Sequence, residues 1–206
     1  MSAAAERIDA AVCDALAERG FAAVEGFLAR GEIARLRADA ERRRAAGEFR
    51  AARVGRGANV QRETATRGDE ICWLDAARAT ASELELLARF DWLRLALNRT
   101  LYLGLAELEA HYACYGPGAR YARHLDRFRD DDARAISLVL YLNESWGEED
   151  GGELRIFARE EASEPACSVL PRAGALVAMR ADTIHHEVVP ARRERWSVAG
   201  WLRRRA

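Results

Sequence analysis

Along residues 3–19 the apolar side chains Ile8, Val12 and Leu16 recur every fourth position. That spacing lines one face of an α-helix, and Gly20 supplies its stop. Phe21 to Phe27 reads as a short strand. A second helix is expected from near Glu32 to Gly47, with Ile33 and Leu36 turned inward and an arginine-rich face left to solvent. Between Phe49 and Thr66 the chain is polar, carries Gly55, Arg56, Gly57 and Asn59, and follows neither the strand nor the helix period. A mobile loop or hairpin is predicted there.

Ala81 to Leu108 reads as one or two helices with an apolar stripe through Leu84, Leu87, Leu93 and Leu97. From His111 onward short apolar runs alternate with turn signals such as Asp150-Gly151-Gly152 and Pro171 to Gly174. Strands are expected at Ile136 to Asn143, Glu153 to Phe157, Ala175 to Arg180 and Trp196 to Leu202. Helices followed by a run of strands predict an α+β chain, a β-sandwich or jelly roll supported by N-terminal helices.

Length and composition narrow this picture. A chain of 206 residues, half of them hydrophobic, can bury one sizeable core. A single domain is expected, with 1–108 as helical support plus loop and 109–206 as the β-core. The net charge of -1 predicts no nucleic-acid partner. Every basic residue is arginine, which excludes Schiff-base chemistry and a P-loop lysine. Cys13, Cys72, Cys114 and Cys167 form no Cys-x-x-Cys pair, no secretory leader opens the chain, and no apolar run is long enough for a bilayer. A cytoplasmic protein with free thiols and no membrane contact is expected.

The candidate chemistry lies in the β-region. His124 and Asp126 are two apart in a segment that reads as extended, so both side chains are expected on one face. His185 and His186 follow roughly sixty residues later. Either can complete a two-histidine, one-carboxylate set, and local alternation does not choose between them. Such a set leaves three octahedral positions of iron(II) open, enough for dioxygen and a chelating co-substrate. Arg195 opens a later strand and can supply a bidentate anchor for a carboxylate. Alternation puts Ser137, Val139 and Tyr141 on one strand face, and Arg195, Ser197 and Trp201 on another. Tyr141 and Ser197 are candidate partners of the bound carboxylate, and Ser137 and Trp201 are further candidate co-substrate-binding residues. Gly151-Gly152 reads as a tight turn without chemistry.

The run from Tyr115-Gly116-Pro117-Gly118 through Tyr121 to His124-Leu125-Asp126 resembles the metal-binding strand of the prolyl 4-hydroxylases. The likeness is nearest to the hypoxia-inducible-factor prolyl hydroxylase branch and its bacterial relatives. Tyr141 to Trp146, Gly151 to Phe157, Pro171 to Gly174, and His186-Glu187-Val188-Val189-Pro190 with Arg195 nine residues beyond His186 follow in the same order. Upstream, Arg67 to Trp73 is similar to the block after that branch's substrate-covering loop.

The resemblance implies a double-stranded β-helix core and selects His186, with His124 and Asp126, as iron ligands. It implies 2-oxoglutarate chelating the iron, with its far carboxylate on Arg195 and Tyr141, and Tyr121 close to both. It places Asp69, Trp73, Tyr115 and the loop from Arg53 to Thr66 against a prolyl substrate. The iron centre is expected to be the whole of the catalytic apparatus. Dioxygen is the oxidant, L-ascorbate a reductant, and succinate and carbon dioxide the co-products. The implied partner is a prolyl-containing protein, for which a bacterial translation factor is one candidate. A free amino acid or small metabolite is an alternative substrate, and a non-catalytic sensor of 2-oxoglutarate and iron is an alternative function. A nucleic-acid demethylase is disfavoured because no basic stripe with interleaved aromatics is present.

Overall fold

A computed structural model of the chain describes residues 2–52, 67–127 and 133–205. The first helix, α1 (Ala3–Arg19), starts on Ser2, whose hydroxyl accepts from the Ala5 N–H, and ends on Gly20 at φ 80°. Strand β1 (Phe21–Val24) is shorter than predicted. Next comes α2 (Arg30–Ala45), which begins before Glu32 because the Glu32 carboxylate reaches back to the Ala29 N–H at 2.7 Å. The segment expected as a mobile loop or hairpin opens with a strand, β2 (Arg50–Ala51), and its remainder, 53–66, lies outside the described residues.

Strand β3 (Asp69–Trp73) leads to α3 (Ala81–Leu101), where Thr80 and Glu83 cap one another reciprocally. The helix stops seven residues short of Leu108, and 105–108 begin the long strand β4 (Leu105–Tyr115). The buried stripe of α3 is Leu86, Phe90, Leu93 and Leu97, whereas Leu84, expected inside, is 46% exposed. Strands β5 (Tyr121–His124), β6 (Arg134–Tyr141), β7 (Leu154–Phe157), β8 (Cys167–Val169), β9 (Leu176–Arg180), β10 (His185–Val188) and β11 (Arg195–Arg204) complete the chain.

Among the described residues all strand pairs are antiparallel, in a seven-stranded sheet ordered β1-β9-β6-β11-β4-β3-β2 and a four-stranded sheet ordered β5-β10-β7-β8. The strand period sorts the larger sheet's side chains onto its two faces. Ile136, Leu138 and Leu140 of β6, Tyr112 and Cys114 of β4, and Val198 and Leu202 of β11 meet the helices. Val139 and Tyr141 of β6, Ala113 and Tyr115 of β4, and Val177 and Met179 of β9 face Leu154, Ile156 and Val188 of the smaller sheet. This is a helix-supported jelly roll, as the strand pattern predicts, and the double-stranded β-helix that the resemblance implies.

Buried polar groups fix the layers. Glu83 is fully buried and takes two bonds from Arg43, at 2.7 and 2.8 Å, which joins α3 to α2. The buried Asn143 accepts from the Trp196 N–H and donates to the carbonyls of Pro171 and Trp196, so it ties the end of β6 to the start of β11 instead of extending the ladder.

Candidate active site

Between the sheets lies a cavity with a charged wall at each end. On one side β5 and β10 pair with His124 directly opposite His186. Cross-strand neighbours bring side chains together, and the two imidazoles are 4.2 Å apart between centroids. Asp126 lies in a bend just past β5 and not, as its spacing suggests, in the strand itself. From the bend its carboxylate reaches both rings, 3.4 Å from His124 Nε2 and 3.7 Å from His186 Nε2. One ligand-type atom from each residue falls within 4.8 Å of the others.

The imidazole tautomers are set by backbone. His124 Nδ1 faces the Ala122 carbonyl at 2.8 Å and His186 Nδ1 the Ile184 carbonyl at 3.2 Å. A carbonyl only accepts, so Nδ1 carries the proton and both Nε2 lone pairs point inward. Burial, reinforced by His124, pulls the His186 pKa down to about 4. Burial alone would raise the Asp126 carboxyl, but His186 and His124 hold it well below the usual carboxylate range. Two Nε2 atoms and one carboxylate therefore converge there. His185 is directed elsewhere: its Nε2 is 3.8 Å from Glu160, and it pairs with Phe157 across β7.

The opposite wall is built on β11. Arg195 is 1% exposed, and its guanidinium sits 5.0 Å from the Tyr141 ring centroid and 5.2 Å from that of Tyr115. Its Nε donates to the Gly152 carbonyl at 2.9 Å. Its Nη2 and the Tyr141 hydroxyl are buried and find no hydrogen-bond partner among the described residues. Ser197, buried at 2%, lines the same cavity. Ser137 lies instead at the far end, where its hydroxyl helps to lower the Asp126 pKa. The Gly-Gly turn thus does have a role: Gly152 stands at φ 73°, and a Cβ there would come within 3.3 Å of Arg195 Cδ.

The rim carries residues that the sequence reading did and did not single out. Tyr121 stacks on His124 at 3.6 Å between centroids, and burial pushes its pKa up to about 12. Asp69 is held by Arg67 through two bonds of 2.7 and 3.0 Å. Trp201 presents a buried indole Nε1 without a hydrogen-bond partner among the described residues. Trp73 is 49% exposed and stacks on His111, which was not among the expected residues. His111 and Arg67 both line the cavity. Burial, with Arg67 and Arg134 nearby, drives the His111 pKa down to about 3. Strand parity could have found His111, because it shares a face of β4 with Ala113 and Tyr115.

Comparison with known proteins agrees with this geometry. Residues 110–203 match the model of the 2OG-Fe(II) oxygenase superfamily. The crystal structure of a Pseudomonas putida prolyl-4-hydroxylase superposes with a TM-score of 0.85 and 45% identity, over 96% of this chain and 100% of that one. The chain belongs to the 2OG-Fe(II) oxygenase superfamily. A hypoxia-inducible factor prolyl hydroxylase of Caenorhabditis elegans is 32% identical over 143 residues, 66% of this chain. The chain spans 19% of that relative's length. A Trichoplax adhaerens prolyl hydroxylase, solved with a hypoxia inducible factor peptide fragment, shares the fold at 24% identity, with a TM-score of 0.85 over 97% of this chain and 90% of that one.

Members of the superfamily use iron(II), 2-oxoglutarate and dioxygen, and the superfamily's residues here fit those groups. Two inward Nε2 atoms and a carboxylate suit a divalent ion. A buried guanidinium with a spare Nη2, next to a spare phenol, suits a carboxylate of a dianionic co-substrate. Among the described residues no helix is long and apolar enough to cross a membrane.

Proposed function

We propose that the chain is an iron(II)- and 2-oxoglutarate-dependent dioxygenase that hydroxylates a prolyl residue, at the 4-position, in a protein or peptide. The observation that carries this reading is the pairing of the His124, Asp126 and His186 cluster with the half-satisfied Arg195 across one cavity. The identity of 45% to a prolyl-4-hydroxylase supports the substrate class.

In this reading His124, Asp126 and His186 hold the iron, and Arg195 with Tyr141 holds the far carboxylate of 2-oxoglutarate. When bound, these groups supply oxygen activation coupled to oxidative decarboxylation of 2-oxoglutarate to succinate and carbon dioxide. The chain's own residues do the positioning. The Ala122 and Ile184 carbonyls fix the imidazoles, and the Tyr121 ring braces His124. Leu154 and Val188 line the same cavity with apolar surface. Arg67, Asp69 and Trp73 form the rim against which a peptide would lie, with Tyr115 deeper, against Arg195.

The test is anaerobic addition of iron(II) and 2-oxoglutarate, followed by oxygen and quantification of succinate. The visible metal-to-ligand charge-transfer band and succinate are expected from wild type and His185→Ala, and from neither His186→Ala nor Asp126→Ala. Incubation with a proline-containing peptide library should add one oxygen to a prolyl residue by mass spectrometry. A band that persists in His186→Ala refutes the ligand assignment. Turnover that adds oxygen only to small metabolites refutes the prolyl one.

A further inference from the structure

The helix α3 has more apolar residues than its buried stripe can use. Five large hydrophobic residues are exposed among the described residues, namely Trp73, Leu84, Trp92, Leu95 and Tyr102. Four of these five belong to α3 or to its C-terminal cap, and only Trp73 belongs to the rim of the cavity described above. At 100° per residue, Leu84, Ala88, Trp92 and Leu95 fall within an arc of about 80°. That arc is directed away from Leu86, Phe90, Leu93 and Leu97, which already pack on the larger sheet. A row of exposed apolar residues of this kind on a structured helix is a candidate interface.

The order of residues along the stripe says what covers it. A large residue, a small one and two large ones follow each other as Leu84, Ala88, Trp92 and Leu95. If a second identical helix lies antiparallel across it, with a two-fold axis near residue 90, Leu84 falls opposite Leu95 of the other copy. Ala88 then falls opposite Trp92 of the other copy, so each indole meets a methyl-sized gap. Both matches occur twice by symmetry, as an isologous contact requires. Charge agrees: the same operation carries the exposed Arg99 of one copy to the first turn of the other, within one helical turn of Glu85. Glu85 now holds only an exposed partner, Arg35, at 3.1 Å, which is a weak tie that it can share. A parallel arrangement would set Trp92 on Trp92 and like charges on like.

We infer that α3 is a homodimerisation surface, on which a second copy of this chain packs antiparallel through Leu84, Ala88, Trp92 and Leu95. The helix lies on the outer face of the larger sheet, away from the cavity, so the dimer leaves both cavities open. One helix pair buries less than a standard interface, and the association is correspondingly weak and concentration-dependent.

Sedimentation velocity of the purified full chain, over a concentration series from about 1 to 500 µM (the range bracketing a weak protein interface), reads the association. Wild type is expected to pass from monomer to dimer within that range. Trp92→Glu should raise the dissociation constant on the order of 100-fold, because symmetry counts the change twice. Trp92→Glu is exposed, so its circular dichroism and thermal midpoint should match wild type. Geometry is read separately by oxidation. The double variant Leu84→Cys, Leu95→Cys should give a covalent dimer on a non-reducing gel. Each single variant should give little, since identical positions then stand more than about 7 Å apart along the axis. A wild type that stays monomeric throughout, or a dimer that Trp92→Glu does not weaken, overturns the proposal. Cross-linking of a single variant as efficient as that of the double variant overturns the antiparallel register.

Discussion

Replacing Arg195 by methionine separates what this residue does for the fold from what it does for a ligand. The guanidinium is 1% exposed, has one hydrogen bond, to Gly152, and has no carboxylate partner among the described residues. Its removal forfeits that bond, about 1.5–3 kcal/mol for a charged donor, together with two arginine–aromatic contacts of about 0.5–2 kcal/mol each. Against this, a buried cation without a counter-ion carries a desolvation cost of several kcal/mol, which methionine, of similar length, does not. The opposing contributions are of equal size, so the unfolding free energy of metal-free Arg195→Met should lie within about 2 kcal/mol of wild type. Ligand affinity has no such compensation. Two charge-assisted bonds to a carboxylate are worth about 3–4 kcal/mol together, so the dissociation constant for 2-oxoglutarate should rise on the order of 10²–10³-fold. Urea unfolding reads the first quantity, and anaerobic titration of the charge-transfer band reads the second. A variant that unfolds several kcal/mol more easily while still binding 2-oxoglutarate normally would refute the assignment of Arg195 as the carboxylate anchor.

Three further outcomes follow from the buried polar groups and the Gly152 turn. Glu83→Ala leaves the buried Arg43 without its main partner and undoes the α3 cap, so it should cost about 3–5 kcal/mol in urea unfolding; a change below 1 kcal/mol would mean the pair is not formed. His111 and His186 are both held neutral by burial, at about 3 and about 4 against an ordinary 6.5. Between those values and 6.5 the folded chain binds fewer protons than the unfolded one, so stability is present above 6.5 and is lost as pH falls; from pH 7 to 5 the metal-free protein should lose about 2 kcal/mol per histidine. A flat profile over that interval contradicts their burial. In Gly152→Ala the new methyl meets Ala191 Cβ at 2.8 Å and crowds Arg195 at 3.3 Å, on a backbone at φ 73°; a higher KM for 2-oxoglutarate with a lower thermal midpoint is expected, and an unchanged KM would show that the turn does not position Arg195.

Much of the site was legible because strand parity transmits position over long sequence distances. Once Tyr141 and Arg195 are placed on strands, parity alone puts Val139 and Ser197 on the cavity side, where they are. Register is different, since it depends on which strands pair. Nothing local in Arg67 to Trp73 says that Asp69 will pair with Tyr115, yet that register brings Arg67 and Asp69 to the rim. Asp126 shows the limit of parity in the other direction: the strand stops at His124, and a bend, not alternation, returns the carboxylate to the imidazoles. Leu84 was misplaced because α3 has apolar residues on two faces, and helical periodicity does not tell which face a sheet will cover.

The two walls of the cavity belong to different sheets, and this has a thermodynamic consequence. His124 and His186 stand on β5 and β10 of the smaller sheet, whereas Tyr141 and Arg195 stand on β6 and β11 of the larger one. Of the residues that would hold the two groups, none forms an ion pair across the gap among the described residues; apolar packing of Leu154, Ile156 and Val188 against Val139, Tyr141 and Val177 joins the sheets there. A metal alone would bind one sheet. A metal together with a dicarboxylate held by Arg195 would bind both, and so would act as a cross-link that the unfolded chain cannot offer. Linkage then requires the two together to stabilise the fold by more than the sum of their separate effects. If the thermal shifts of metal and 2-oxoglutarate prove simply additive in wild type, the two do not share one site, and the reading of the cavity as a single bridged centre is wrong.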